Sequence, residues 1–340
     1  MAKSANPAAL VKQHRIAFGS ESAMLMGETG TGVASVCPTG MAVVDRWVLG
    51  VGGLPYGRII EVSGAESSGK TTIMNKLLAG VQADGGVACL VETEQSYDPL
   101  WARLHGVDID NLMLMQPDHL DGKGGALEQF EALIENSSGP ILIALDSVAA
   151  AQSKREFDEG LTGDAGMAEL ARAWSQGLRR LNPIIARRQA ILVLVNQTRA
   201  VIGQMYGPKS ATTGGNAIKF YASIRLQVSH GPKVDNGAGR LMSVTGIKNK
   251  CSVPYRKAML KMSFTEGFND RWSILNHAKD RKVVGNKAKS YKEALLALGW
   301  DIQGSDLAHE DAIDISDLAH EDAIDIVEVV NNEEESSTDK

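Results

Sequence analysis

Residues 64–71 read Gly64-Ala65-Glu66-Ser67-Ser68-Gly69-Lys70-Thr71, between an apolar run at 59–62 and a helical pattern over 71–82. A glycine-bounded turn that ends a buried strand and opens a helix is a phosphate cradle. The glycines let backbone N–H groups curl around phosphate oxygens, and the helix N-terminus favours an anion. Lys70 offers a point charge to the outer phosphates, Thr71 a hydroxyl to magnesium, and Thr72 continues the motif into the helix. The pattern predicts a P-loop nucleotide site for ATP with Mg2+, and it requires a strand–loop–helix unit around it.

The surrounding chain repeats that unit. Apolar runs at 59–62, 87–91, 141–145 and 190–195 have the length of buried strands, and helical patterns such as 71–82 and 167–186 separate them. Such alternation over 41–268 predicts an α/β fold: a mostly parallel, twisted sheet with helices on both faces. A short helix is expected over 6–18 with Lys12, His14 and Arg15 as a basic stripe, followed by a Gly/Ser/Thr-rich lead-in to residue 40. Residues 269–300 form a small segment with helical patterning at 291–298.

Charge divides the chain. Residues 301–340 hold 14 of the 41 acidic residues and one of the 35 basic ones, a net −13, which leaves the first 300 residues at +7. A basic body suits a polyanionic partner. The tail contains an identical tandem repeat, SDLAHEDAIDI at 305–315 and again at 316–326, and its composition predicts disorder. The three cysteines, Cys37, Cys89 and Cys251, have no zinc-ligand or redox spacing. The N-terminus lacks a signal-peptide apolar run and no segment has the length of a membrane span, so a cytoplasmic protein with no membrane partner is expected.

Further polar residues follow the apolar runs. Asp146 ends the run at 141–145, where a P-loop NTPase keeps its second magnesium-side group. Glu92 and Glu94 follow the run at 87–91 and point the same way by period-two alternation; either could orient an attacking water, and spacing alone does not choose. Gln197 follows the run at 190–195, where an amide can report whether a γ-phosphate is present. The glycine- and threonine-rich stretch 200–215 contains Ile202, Met205 and Tyr206, apolar groups of the kind that wedge between bases.

Together these residues resemble the RecA recombinase family. The likeness is carried by GLPYGRIIEV (53–62), GAESSGKTT (64–72), GVDIDNL (106–112), NQTRAVIGQMYGPKSATTGGNAIKFYAS (196–223) and IKNK (247–250), and it covers roughly 40–268. It implies a RecA-type P-loop ATPase core with a short N-terminal helix for subunit contact, a reduced C-terminal segment and an acidic tail. It selects Glu94 as the water-activating carboxylate and Gln197 as the γ-phosphate sensor. Lys248 and Lys250 match lysines that reach the neighbouring subunit's ATP. Asp98, Trp101 and Phe264 match the adenine pocket, and Phe220 a filament-interface anchor.

The stretches around 155–167 and 198–215 resemble the family's two DNA loops. Met167 and Ile202 match contacts to splayed DNA, while Ser175, Arg179, Gly214, Gly215 and Asn216 match backbone contacts, with Arg172 and Arg199 as further cations. Ala65 departs from the family's usual proline, Trp101 and Phe264 from its common tyrosines, and the C-terminal region is short. Shortened members also occur in bacteriophages. The resemblance thus implies a DNA-dependent ATPase that forms a homo-oligomeric filament on single-stranded DNA and exchanges strands with homologous duplex DNA. Two other readings fit parts of the pattern: a RecA-fold motor or accessory ATPase, and a non-catalytic DNA-binding regulatory paralogue.

Overall fold

Strand-to-strand pairing around residues 58–64 organises the molecule. The computed structural model describes residues 6–20, 22–28, 33–160, 167–200 and 210–300. In chain order it contains α1 (Pro7–Phe18), β1 (Val36–Cys37), β2 (Leu54–Pro55), β3 (Arg58–Gly64), α2 (Lys70–Ala83), β4 (Val87–Glu92) and α3 (Pro99–Leu104). There follow β5 (Met113–Met115), α4 (Ala126–Asn136), β6 (Ile141–Asp146), α5 (Lys154–Glu159), α6 (Met167–Arg188), β7 (Ile191–Ala200), β8 (Ser210–Thr212) and α7 (Gly215–Tyr221). The last are β9 (Ile224–Val234), β10 (Gly239–Asn249), β11 (Lys257–Ser263), β12 (Gly267–Asn269), α8 (Asp270–Asp280) and α9 (Tyr291–Ala297).

The main sheet has the order β12-β11-β10-β9-β3-β7-β6-β4-β5. Pairing from β9 through β3, β7, β6 and β4 to β5 is parallel. From β9 outward through β10 and β11 to β12 it is antiparallel. The expected parallel sheet is present, with an antiparallel wing added to it. That wing needs no crossover helices, since hairpins join its strands.

Alternation along the strands separates two apolar layers. Ile60, Val62, Val193 and Val195 pack with Ile73, Leu77 and Leu78 of α2. Ile59, Leu192 and Leu194 pack with Phe130 of α4 and Trp174 of α6. Successive strand residues face opposite sides, so strands apolar throughout bury both faces under helices. Ile274, Leu275 and Ala278 of α8 and Ala294 and Leu295 of α9 join the α2-side layer. Trp47 also ties this end down, with the Arg256 and Arg281 guanidiniums 4.3 and 4.4 Å from its ring centroid. By contrast α1, capped by the Asn6 side chain, has no buried residue.

Both expected DNA loops contain regular structure. Residues 154–159 form α5, started by a capping box between Ser153 and Glu156. In the second, β8 pairs antiparallel with the end of β7, Thr198 opposite Thr212 and Ala200 opposite Ser210. Ile202 and 161–166 lie outside the described residues, as does the tail with its repeat. Among the described residues no helix is long and apolar enough to cross a membrane.

One ionic contact crosses the sheet's centre. Glu61 of β3 is fully buried and pairs with the Arg225 guanidinium on the neighbouring β9, directly opposite it in register. Asn196 Nδ2 donates to the same carboxylate at 3.0 Å. Removing one member strands a buried charge. Arg225→Met should lower unfolding free energy by about 3–5 kcal/mol, measured by urea denaturation. Glu61→Leu combined with Arg225→Met should recover much of that loss; equal stability of the single variant and the parent chain would disprove the coupling.

Candidate functional site

The phosphate loop connects β3 to α2. Gly69 caps α2 with φ +92°, a left-handed conformation that glycine adopts without penalty. A Cβ at Gly69 would also lie 2.3 Å from the Met242 methyl. Lys70 Nζ donates to the Ala65 carbonyl at 2.7 Å, folding the side chain back along the loop. Ser68 Oγ is buried without a hydrogen-bond partner. An unsatisfied hydroxyl in a glycine-bounded turn fits a phosphate oxygen as its acceptor. Glu66 and Ser67 are exposed.

Parallel register aligns the other polar residues with this loop. Gly64 lies opposite Gln197, and Glu92 opposite Asp146. Thr71 Oγ1 donates to Asp146 Oδ2 at 2.8 Å, so the two expected magnesium-side groups touch. Burial pushes the Asp146 carboxyl up to about 6; the Thr71 hydrogen bond and Lys70 oppose this, and Glu94 and Glu92 add to it. Burial also lowers the Lys70 ammonium from its ordinary value, against Asp146, Glu94 and Glu66. A divalent cation would offset the carboxylate's desolvation, so hydroxyl and carboxylate together fit magnesium.

The two glutamates have different surroundings. Glu92 is buried, and its oxygens accept from Tyr97 N at 2.6 Å and Gln116 Nε2 at 3.3 Å. Glu94 is exposed. Its Oε1 accepts from Ser147 Oγ at 2.5 Å and from Gln197 Nε2 at 3.2 Å. Glu92 thus holds the chain locally, while Glu94 has an accessible carboxylate joined to the Gln197 amide. Ser147, which holds Glu94 in place, carried no sequence signal beyond its position after Asp146.

A cavity of about 290 Å³ extends from the loop. It is lined by Ser67, Ser68, Gly69, Lys70, Thr71 and Thr72 on one side, and by Trp101, Arg240, Met242, Met262 and Phe264 on the other. Trp101 Nε1 donates to Thr72 Oγ1 at 3.3 Å, which sets the indole beside the loop. Trp101 and Phe264 both line this cavity. Asp98 is not in the lining; its Oδ1 caps α3, accepting from Leu100 N and Trp101 N, and so orients the indole. The wall residues Arg240, Met242 and Met262 had no readable motif.

Other expected residues form two further groups. Lys248 Nζ donates to the carbonyls of Lys219 (2.6 Å) and Phe220 (3.2 Å) at the end of α7. Burial, then Lys250 and Arg225, lowers its ammonium from the ordinary value. Lys250 is exposed, as is Phe220 at 73 %. Lys248, Lys250 and Phe220 thus lie in one region, and none of them lines the cavity.

On α6, the spacing of Arg172, Ser175 and Arg179 sets them along one side. Both arginines are exposed, and Arg172 reaches Glu169 at 3.3 Å. The start of α7 abuts this helix, since a Cβ on Gly215 would meet the Ala171 methyl at 2.9 Å. Gly214 and Gly215 both have positive φ, and Asn216 is exposed beside them. Met167 begins α6 and Arg199 lies in β7; their side chains are outside the described residues.

Residues 6–269 match the model of the RecA N-terminal domain family. The chain is 38% identical over 289 residues to Protein RecA of Bacteroides thetaiotaomicron, covering 84% of this chain and 86% of that protein. It is 36% identical over 324 residues to Protein RecA of Clostridioides difficile, covering 94% and 91%. With Protein RecA of Francisella philomiragia the identity is 40% over 278 residues, covering 81% and 76%. A phosphate loop on a nine-strand path, a glutamate–glutamine pair beside it and these relationships lead to one assignment: the chain belongs to the RecA family.

Proposed function

We propose that this chain is an ATP-dependent recombinase that forms filaments on single-stranded DNA, then pairs it with homologous duplex DNA and exchanges strands in recombinational repair. The observation that carries the catalytic part is the Glu94 carboxylate, exposed yet held by Ser147 and Gln197 beside the Thr71–Asp146 pair. A cytoplasmic site of action suits the three free cysteines.

The chain's own groups divide the work. The phosphate loop binds the triphosphate through backbone N–H groups, and Lys70 holds its outer charge. Magnesium, held by Thr71 and Asp146, would neutralise charge developing on the transferred phosphoryl group. Glu94 orients a water and accepts its proton. Gln197 reads the γ-phosphate and, through β7, carries that state to the β7–β8 hairpin. Lys248 and Lys250 serve the neighbouring subunit's site, with Phe220 in the same interface, so turnover depends on assembly.

The single-stranded DNA would run along Arg172, Ser175 and Arg179 on α6 and the Gly214-Gly215-Asn216 turn, with Met167, Arg199 and Ile202 completing the surface. Exposed arginines and backbone N–H groups suit phosphate contacts, which position without reading sequence. We read residues 1–40 as a subunit-contact arm, 41–268 as the ATPase core, 269–300 as a reduced C-terminal segment, and 301–340 as an acidic tail.

Glu94→Gln should cut DNA-stimulated ATP hydrolysis by roughly 100-fold or more, the scale of a lost general base, while filaments still form with bound ATP. Glu92→Gln should retain turnover. Steady-state ATPase assays and negative-stain imaging on single-stranded DNA make the comparison. An inactive Glu92→Gln beside an active Glu94→Gln would reverse the assignment. Near-normal turnover by Lys70→Ala would remove the ATPase reading altogether.

Lys248→Ala combined with Lys250→Ala should bind nucleotide as the parent monomer does, yet lose DNA-stimulated hydrolysis. Mixed with Lys70→Ala subunits, it should regain part of the rate at junctions that pair an intact phosphate loop with intact lysines. Absence of recovery at every ratio, with co-assembly verified by cross-linking, would rule out action in trans.

A further inference from the structure

The β10–β11 hairpin forms one wall of the nucleotide cavity, and one side chain on it has no part in the chemistry described above. Arg240 and Met242 of β10 line the cavity with Met262 of β11 and the following Phe264. Arg240 lies directly opposite Met262 in the antiparallel register.

The two ends of this wall can be told apart. Met242 touches the phosphate-loop end, as its methyl's closeness to Gly69 shows. Phe264 marks the other end, where its N–H bonds the Ala238 carbonyl at the mouth of the hairpin. Arg240 comes two residues before Met242, about 6.5–7 Å along an extended strand. It therefore sits toward the Phe264 end of the wall, away from the end that Met242 holds against Gly69.

The bonding of Arg240 is also distinctive. Its Nε is buried with no hydrogen-bond partner, and among the described residues its guanidinium forms no ion pair. Neighbouring cations are engaged: Lys261 pairs with Asp235 at 2.9 Å, Arg256 covers Trp47, and Arg225 pairs with Glu61. A guanidinium is donor-only, and a buried donor without an acceptor is unfavourable until a ligand provides one. A nucleoside in this cavity carries such acceptors on its ring nitrogens and its sugar oxygens.

We infer that Arg240 is a nucleotide-contact residue at the nucleoside end of the cavity, donating to acceptor atoms of the base or ribose. It sets affinity for the nucleoside, separately from the phosphate contacts of Lys70. The inference rests on the nucleotide-site reading above.

The test uses the full chain and three probes: a non-hydrolysable ATP analogue, the matching GTP analogue, and inorganic tripolyphosphate. Binding is measured by calorimetry for the parent chain, Arg240→Ala and Arg240→Met, the latter keeping the apolar stem in the wall. Thermal unfolding without nucleotide establishes that each variant folds. Both variants should bind the ATP analogue about tenfold more weakly, the scale of one charge-assisted hydrogen bond, with tripolyphosphate affinity unchanged. Unequal losses for the two nucleotides would identify the base as acceptor and equal losses the sugar; either supports the inference. Unchanged affinity for both nucleotides would overturn it. So would a matching loss for tripolyphosphate, which would make Arg240 a phosphate contact. A parent chain that binds none of the three would instead overturn the nucleotide-site reading, and this inference with it.

Discussion

The functional geometry depends first on parallel register. β3, β7, β6 and β4 run side by side in one direction, so their carboxyl ends fall at one edge of the sheet. Gly64 opposite Gln197 and Glu92 opposite Asp146 are consequences of that alignment. A slip of one residue would turn each polar end group to the other face and each buried residue with it. The apolar layers on both sides resist such a slip, because Ile59 and Ile60 already belong to different layers. Packing far from the nucleotide thereby sets distances within the site.

Gathering polar ends at one edge also gathers charge. Lys70 is opposed by its own burial and supported by Asp146, Glu94 and Glu66. Asp146 is pushed up chiefly by burial and further by Glu94 and Glu92. Ligands of alternating sign suit this arrangement: polyphosphate toward the lysine and loop amides, a divalent cation toward the carboxylate. Glu92 avoids adding another accessible carboxylate because Tyr97 N and Gln116 occupy its oxygens. Two glutamates that are equivalent in spacing are thus made unequal by the backbone turn after β4.

That inequality marks a boundary of what the sequence reveals. Strand β3, the loop and helix α2 were legible because an apolar run, a glycine-bounded motif and a helical pattern adjoin, and the structure begins and ends them within two residues of expectation. Strands β4, β6 and β7 were legible because burial on both faces makes them continuously apolar. The antiparallel wing was not: β10 and β11 interleave Arg240, Lys257 and Lys261 with apolar residues, which blurs a short-run signal. Since the wing supplies Arg240, Met242 and Met262, three of the eleven residues that line the cavity were hidden with it. Asp98 shows a different limit, since a motif match names a position but does not reveal that its carboxylate caps α3.

The centre of the sheet supplies a short connection between the phosphate loop and the β7–β8 hairpin. Asn196 Nδ2 donates both to Glu61 and, at 2.9 Å, to the Thr213 carbonyl. Gln197, the next residue, touches Glu94, and Thr198 begins the pairing with β8. Just beyond Thr213 comes Gly214, whose φ of +83° turns the chain into α7 where a Cβ would lie 2.8 Å from Val148 and Ile218. Asn196 therefore fixes both sides of the hairpin base to a central strand, while its half-buried neighbour lies opposite Gly64 at the start of the phosphate loop. Any displacement of Gln197 must be taken up within the few residues between that fixed point and the hairpin. A shift over so short a stretch of paired strand requires no rearrangement of the core.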